Sequence, residues 1–226
     1  MLQNWGRLLF MHWPVDVASI RAHVPDSLEI DRFDGVAWVG VVPFTMWGIR
    51  HPALPALPGL SRFHELNLRT YVLYDGYPGV WFFSLDAQSA LAVWAGRRFY
   101  GLPYYRARMS LNVSDGAIDY RSERLGGSTP AAIFDACWSP RSSLPQASPD
   151  SLEYFLTERY CLYVQRGRGL FQGRIFHESW SLSSAELHRY RSTMTEPLGF
   201  SLPQEPPLVH YANRLLAKIW PLSRVG

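Results

Sequence analysis

The sequence predicts an α+β chain that is mainly β, an antiparallel sheet curled into a barrel with a few short helices. Three observations carry this expectation. β-rich stretches recur along the whole chain, Asp-Gly pairs at 34–35, 75–76 and 115–116 separate them as turns, and only three short segments carry helical signals. Neither a repeat nor a linker divides the 226 residues, so residues 1–226 read as a single domain. A domain of that length buries roughly 70% of its unfolded surface and needs no metal or disulfide staple.

Taken in order, Asp16 is placed to cap a helix carrying Val17, Ile20 and Val24, which Pro25 closes. Residues 28–33 and 36–47 read as strands about the Asp34-Gly35 turn, and prolines 52, 55 and 58 make the next stretch a loop. Residues 63–74 and 80–85 form a hairpin about residues 75–79. Residues 89–99, rich in Ala, Leu and Trp, read as a short helix ended by Gly101 and Pro103. A second hairpin follows, 104–113 with 117–124, and then a strand at 131–138. Ser148-Pro149-Asp150 opens a helix to about Thr157. Residues 160–165 and 170–182 return to strand, while 183–194 and 210–220 fit either period.

Composition narrows the function. The net charge is +3 and the arginines are scattered, with no basic run interleaved with aromatics, so nucleic acid is not an expected partner. Among 22 basic side chains lysine occurs once, at Lys218. Arginine stays protonated and forms no imine, so Schiff-base chemistry would have to run through Lys218. Cys137 and Cys161 lie in apolar or aromatic runs and are expected to be reduced and buried. Residues 1–10 hold Asn4 and Arg7 and lack a long apolar region, and no stretch is long enough to span a bilayer. The expectation is a soluble, cytoplasmic protein with no membrane partner.

Common motifs are missing. Cys-x-x-Cys, His-Glu-x-x-His and Gly-x-Ser-x-Gly do not occur. Gly167, Gly169 and Gly173 are wrongly spaced for a dinucleotide turn, and Gly126-Gly127 lacks the lysine of a phosphate loop. No metal and no cofactor is expected.

Polar chemistry concentrates in residues 63–72. Strand alternation puts Glu65, Asn67 and Arg69 on one face, bracketed by Phe63 and Tyr71, and His64, Leu66, Leu68, Thr70 and Val72 on the other. A carboxylate, an amide and a guanidinium framed by rings would orient a small polar ligand. The same face would serve equally as a solvated outer surface, with Glu65 and Arg69 as an exposed ion pair. Elsewhere Asp86 reads as a helix N-cap, His12 as a core histidine, and Glu158-Arg159-Tyr160 as a structural ion pair. His177 is a lesser candidate.

Three segments resemble a known family over most of the chain. Leu9-Phe10-Met11-His12-Trp13-Pro14, Phe63-x-Glu65-x-Asn67-x-Arg69-Thr70-Tyr71-Val72 and Gly101-Leu102-Pro103-Tyr104-Tyr105 look like the YqjF-like family of uncharacterised bacterial proteins, placed in the acetoacetate decarboxylase superfamily. The resemblance implies a cone-shaped antiparallel barrel around a ligand cavity. The decarboxylase's active-site stretch, Gly-Arg-Glu, four residues and Pro-Lys-Lys, falls on residues 96–105. Gly96, Arg97 and Pro103 match; Arg98 stands at the glutamate, and Tyr104 and Tyr105 stand at the two lysines. In the decarboxylase the first lysine forms the imine and the second depresses its pKa. A phenol forms no imine, so the resemblance carries the fold across without the Schiff base. Glu65 falls where the superfamily enzyme has an active-site glutamate.

Two functional readings follow, and a plainer third. In the first, Glu65 is a general acid or base, Arg69 holds a carboxylate or enolate oxygen, and Tyr104 and Tyr105 donate to developing oxyanion charge. Asn67, Phe63, Tyr71 and Arg98 would line the ligand site, and lyase, isomerase or hydrolase chemistry on a small keto acid or ester would suit the set. In the second, the barrel binds a small aromatic or acidic metabolite without reaction. In the third it is structural, its exposed edge strands leaving room for a homo-oligomer.

Overall fold

Alternating apolar stretches pair into one sheet of thirteen strands in this computed structural model, which describes residues 1–53, 55, 61–126 and 131–226. The strands are β1 (Leu2–Val15), β2 (Glu29–Ile30), β3 (Ala37–Arg50), β4 (Arg62–Tyr74), β5 (Tyr77–Ala87), β6 (Tyr104–Ser114) and β7 (Ala117–Arg124). After them come β8 (Ile133–Ser143), β9 (Cys161–Arg166), β10 (Gly169–His177), β11 (Leu182–Ser192), β12 (Leu208–Ile219) and β13 (Ser223–Arg224). Three short helices interrupt them, α1 (Val17–Arg21), α2 (Ala90–Ala95) and α3 (Leu152–Thr157).

The hairpin signals act as their chemistry requires. At the β4–β5 and β6–β7 turns both central residues take positive φ, Asp75 at 50° with Gly76 at 75° and Asp115 at 50° with Gly116 at 77°. That conformation matches the twist of paired strands and selects Asp-Gly. Asp16 caps α1 by accepting the Ala18 N–H at 3.1 Å.

Pairings run from β12 through β1, β3, β4, β5, β6, β7, β8 and β11 and return to β12. A second route leaves β5 through β9 and β10 and also reaches β12. The sheet thus curls and closes partly in a ring. Closure is partial because β5–β6 and β11–β12 are short seams, three residue pairs each.

Several expectations need correction. Two seams, β5–β6 and β5–β9, are parallel in an otherwise antiparallel sheet. The strand expected at 28–33 shrinks to Glu29–Ile30, that at 131–138 begins at Ile133, and that at 170–182 breaks after His177. Both ambiguous stretches are strands, β11 and β12, because their partners β8 and β1 offer open edges. The helix expected at 89–99 stops at Ala95 and continues as a π-helical turn at Gly96–Tyr100, ended by Gly101 at φ 66°. Its cap is Ser89, whose hydroxyl accepts the Ala92 N–H, and not Asp86. Cys137 is only half-buried, and both cysteines are free. Pro58 and Gly127 lie outside the described residues.

Both faces of β4 are covered. Leu66, Leu68 and Val72 pack with Val39, Tyr120 and Trp138 in a filled core. The opposite face, with Phe63, Glu65, Asn67 and Arg69, looks into a cavity.

Candidate functional site

The cavity holds about 370 Å³ and draws its walls from β1, β3, β4, β5, β6, β9, β10, β12 and α2. Along β4 the row Glu65, Asn67, Arg69 faces it; Glu65 is 3% exposed and Asn67 5%. This inward face overturns the solvated-surface alternative, and no ion pair joins Glu65 to Arg69.

Tyr104, on β6 beyond β5 in the same sheet, meets Glu65, its O–H donating to Glu65 Oε2 at 2.9 Å. Local structure puts it there. Gly101 reverses the chain after the π-helical turn, β6 starts by pairing Tyr104 with Leu85, and Gly96 leaves room for the ring, since a Cβ at Gly96 would overlap it. Tyr105 leaves the strand on the other side. Its ring lies 4.0 Å from the Arg124 guanidinium and 5.6 Å from that of Arg97, outside the cavity lining. Arg124 in turn forks onto Asp86, Nε at 3.0 and 3.2 Å and Nη2 at 2.7 Å, with both side chains buried. Asp86 is therefore an ion-pair partner behind the site.

Burial dominates the titration of these groups. It raises the Glu65 carboxyl to about 8; the Tyr104 hydrogen bond pulls the value back, and the nearby Asp86 charge pushes it up again. Glu65 is then mostly a neutral acid at pH 7. Burial and Glu65 push the Tyr104 phenol well above its ordinary value, so it stays a donor. Asp86 is also raised by burial, against the pull of Arg124.

Arg69 sits at the other end of the row. Its Nη2 donates to the Leu156 carbonyl at 3.2 Å and lies 3.5 Å from Tyr71 Oη, and its guanidinium lies 5.7 Å from the Phe10 ring and 5.6 Å from that of Tyr71. Among the described residues no carboxylate pairs with it, and its buried Nε has no partner. A cation so placed favours an anion in the cavity. Tyr71 shares the face but not the lining. Its O–H donates to the Leu156 carbonyl at 2.8 Å, and His12 Nε2 lies 2.7 Å away. Burial, then Arg69 and His210, hold the His12 pKa well below its usual range. Arg98 is exposed, 5.9 Å from the Phe99 ring, and does not line the cavity.

Of the sequence candidates, then, Phe63, Glu65, Asn67, Arg69 and Tyr104 gather at the cavity, and Tyr71, Tyr105 and Arg98 do not. Others join them. Arg159 lines the cavity with Nη1 on Asp31 at 2.5 Å and Nε on the Phe155 carbonyl at 2.6 Å. The expected Glu158–Arg159 pair does not form. Glu158 instead accepts from the Trp180 N–H at 2.8 Å and the Tyr160 O–H at 2.5 Å. His177, Trp180 and Phe10 complete this end, Trp180 edge-on to Phe10 at 5.1 Å. A polar triplet at a helix-to-strand junction was the available signal for Arg159; nothing local marks Trp180. Lysine is missing from the lining, and Lys218 is exposed with Nζ 4.6 Å from the Trp220 ring.

A family model, DUF2071, described as an uncharacterized conserved protein, matches residues 2–215. Uncharacterized protein YqjF of Bacillus subtilis (strain 168) is 45% identical over 224 residues, which is 99% of this chain and 92% of that protein. Among solved structures, the enduracididine biosynthesis enzyme MppR complexed with pyruvate superposes with a TM-score of 0.68 at 13% identity, covering 100% of this chain and 90% of that one. An acetoacetate decarboxylase-like enzyme from Sphingomonas wittichii RW1 gives 0.66 at 12% identity, covering 99% and 92%. The acetoacetate decarboxylase of Legionella pneumophila gives 0.63 at 13%, covering 100% and 87%. At such identity the likeness to these structures establishes the fold alone.

Proposed function

The chain belongs to the DUF2071 family and has an acetoacetate decarboxylase-like fold, and from that premise we propose an enzyme that acts on a small keto acid or ester by general acid–base chemistry without an imine. One observation carries the reading: a neutral acid, Glu65, and an arginine without a carboxylate, Arg69, share the inward face of β4. Arg69 holds the substrate carboxylate by charge-assisted hydrogen bonds. Glu65 gives a proton to the oxygen or carbon that gains charge and recovers it as the product forms. Tyr104 holds the Glu65 carboxyl in place and keeps its own proton throughout. The pyruvate named with the MppR structure supports a keto acid as the first class to try.

A thermal-shift screen of keto acids and esters on wild type and Arg69→Ala tests the binding half. A ligand at a hundred times its Kd adds about 2.7 kcal/mol. For a chain this long that raises Tm by roughly 5–10 °C. Hits are then assayed for turnover with Glu65→Gln, which is expected to abolish product while leaving affinity within about tenfold. Undiminished turnover in Glu65→Gln refutes the role of Glu65. Binding without product in wild type supports a non-catalytic binding protein instead.

A further inference from the structure

Strand register orders the cavity from end to end. Arg69 pairs with Gly40, and Gly40 with His12, which places the guanidinium near Phe10. Six residues away, Phe63 pairs with Met46, and Met46 with Trp5. At the rise of a strand those ends are about 20 Å apart. The Phe63 end is apolar, walled by Phe44, Met46, Ile49, Ala92 and Leu91. Gln3 also lies there, its amide engaged by the Trp5 indole at 2.8 Å and Met1 Sδ at 3.6 Å, and Ser61 adds one hydroxyl. Leu91 is 52% exposed, so the cavity reaches solvent beside α2 at this apolar end, at the opposite end of the β4 row from Arg69.

Size adds an independent constraint. At the share of about 30 Å³ that one water occupies, 370 Å³ accommodates about a dozen non-hydrogen atoms. A three-carbon keto acid has six. It would leave half the space against apolar walls, where water finds few partners.

We propose that the ligand is an amphipathic monocarboxylic acid with an apolar body of about ten carbons, entering head first so that its carboxylate reaches Arg69 and its tail lies against Phe63, Met46 and α2. This deepens the carboxylate reading of Arg69 and rests on it. Straight-chain carboxylates of four to sixteen carbons, titrated calorimetrically into the purified protein, test it. Affinity is expected to rise about fourfold per methylene, equivalent to about 0.8 kcal/mol, and to stop rising near ten to twelve carbons. Arg69→Ala is expected to weaken every member by a similar factor and keep the slope.

Arg69-dependent binding with no chain-length dependence, or with an optimum at three or four carbons, overturns the tail while leaving the carboxylate reading intact. If no acid binds, the carboxylate reading fails and takes this inference with it. Ala92→Leu places three more carbons, about 90 Å³ at the same share, at the apolar end. It is expected to shorten the optimum by about three carbons, and an unmoved optimum overturns the placement of the tail.

Discussion

Glu65→Gln is expected to stabilise the protein, and by an amount that depends on pH. In the folded chain the carboxyl titrates at about 8 against an ordinary 4.5, so between those values the native state holds a proton that the unfolded chain has released. Stability due to that retained proton is complete below about pH 4.5 and is lost as pH rises through about 8. At about 1.4 kcal/mol per pH unit the loss is about 1 kcal/mol at pH 5 and about 3 kcal/mol at pH 7, nearing 5 kcal/mol above pH 8. Glutamine resembles the neutral acid: its carbonyl accepts the Tyr104 hydroxyl, and it has no proton to lose. Urea unfolding of both proteins from pH 4.5 to 9 should give curves that coincide at the acid end and diverge upwards, the variant being the more stable. Parallel curves would mean that Glu65 titrates as an ordinary solvated carboxyl, and the burial argument would fall with them.

Tyr104→Phe removes the hydrogen bond that lowers the Glu65 pKa, so the alkaline limb of the pH–rate profile is expected to move up by about one unit. A limb that stays put or moves down contradicts the assignment. Arg124→Met leaves Asp86 buried without its fork and should cost about 3–5 kcal/mol by denaturant melt. A loss under about 1 kcal/mol would mean that Asp86 is held by something else. Lys218→Arg, on the exposed side of β12, should change neither binding nor turnover, and borohydride treatment with a keto acid should leave no mass adduct on the wild type. An adduct on Lys218 would restore imine chemistry.

Much of the architecture is legible from local patterns, because local forces produce it. Asp-Gly pairs turn the chain wherever both residues must take positive φ, Asp16 caps the first helix, and alternation sorts Glu65, Asn67 and Arg69 from Leu66, Leu68 and Val72. The resemblance to a family supplied the curled sheet and the loss of both lysines. Alternation alone names two faces without saying which of them looks inward. On β4 both are buried, one in a filled core and one on the cavity, and only the closure of the sheet through β9, β10 and β12 separates them. Tyr104 and Tyr105 are adjacent and had to diverge by the pleat; the space at Gly96 and the pairing to β5 chose Tyr104. Arg159, His177 and Trp180 join residues about a hundred positions earlier because distant strands meet across the ring. The raised pKa of Glu65 belongs wholly to tertiary structure, since desolvation depends on what surrounds a carboxyl and not on its neighbours in the chain.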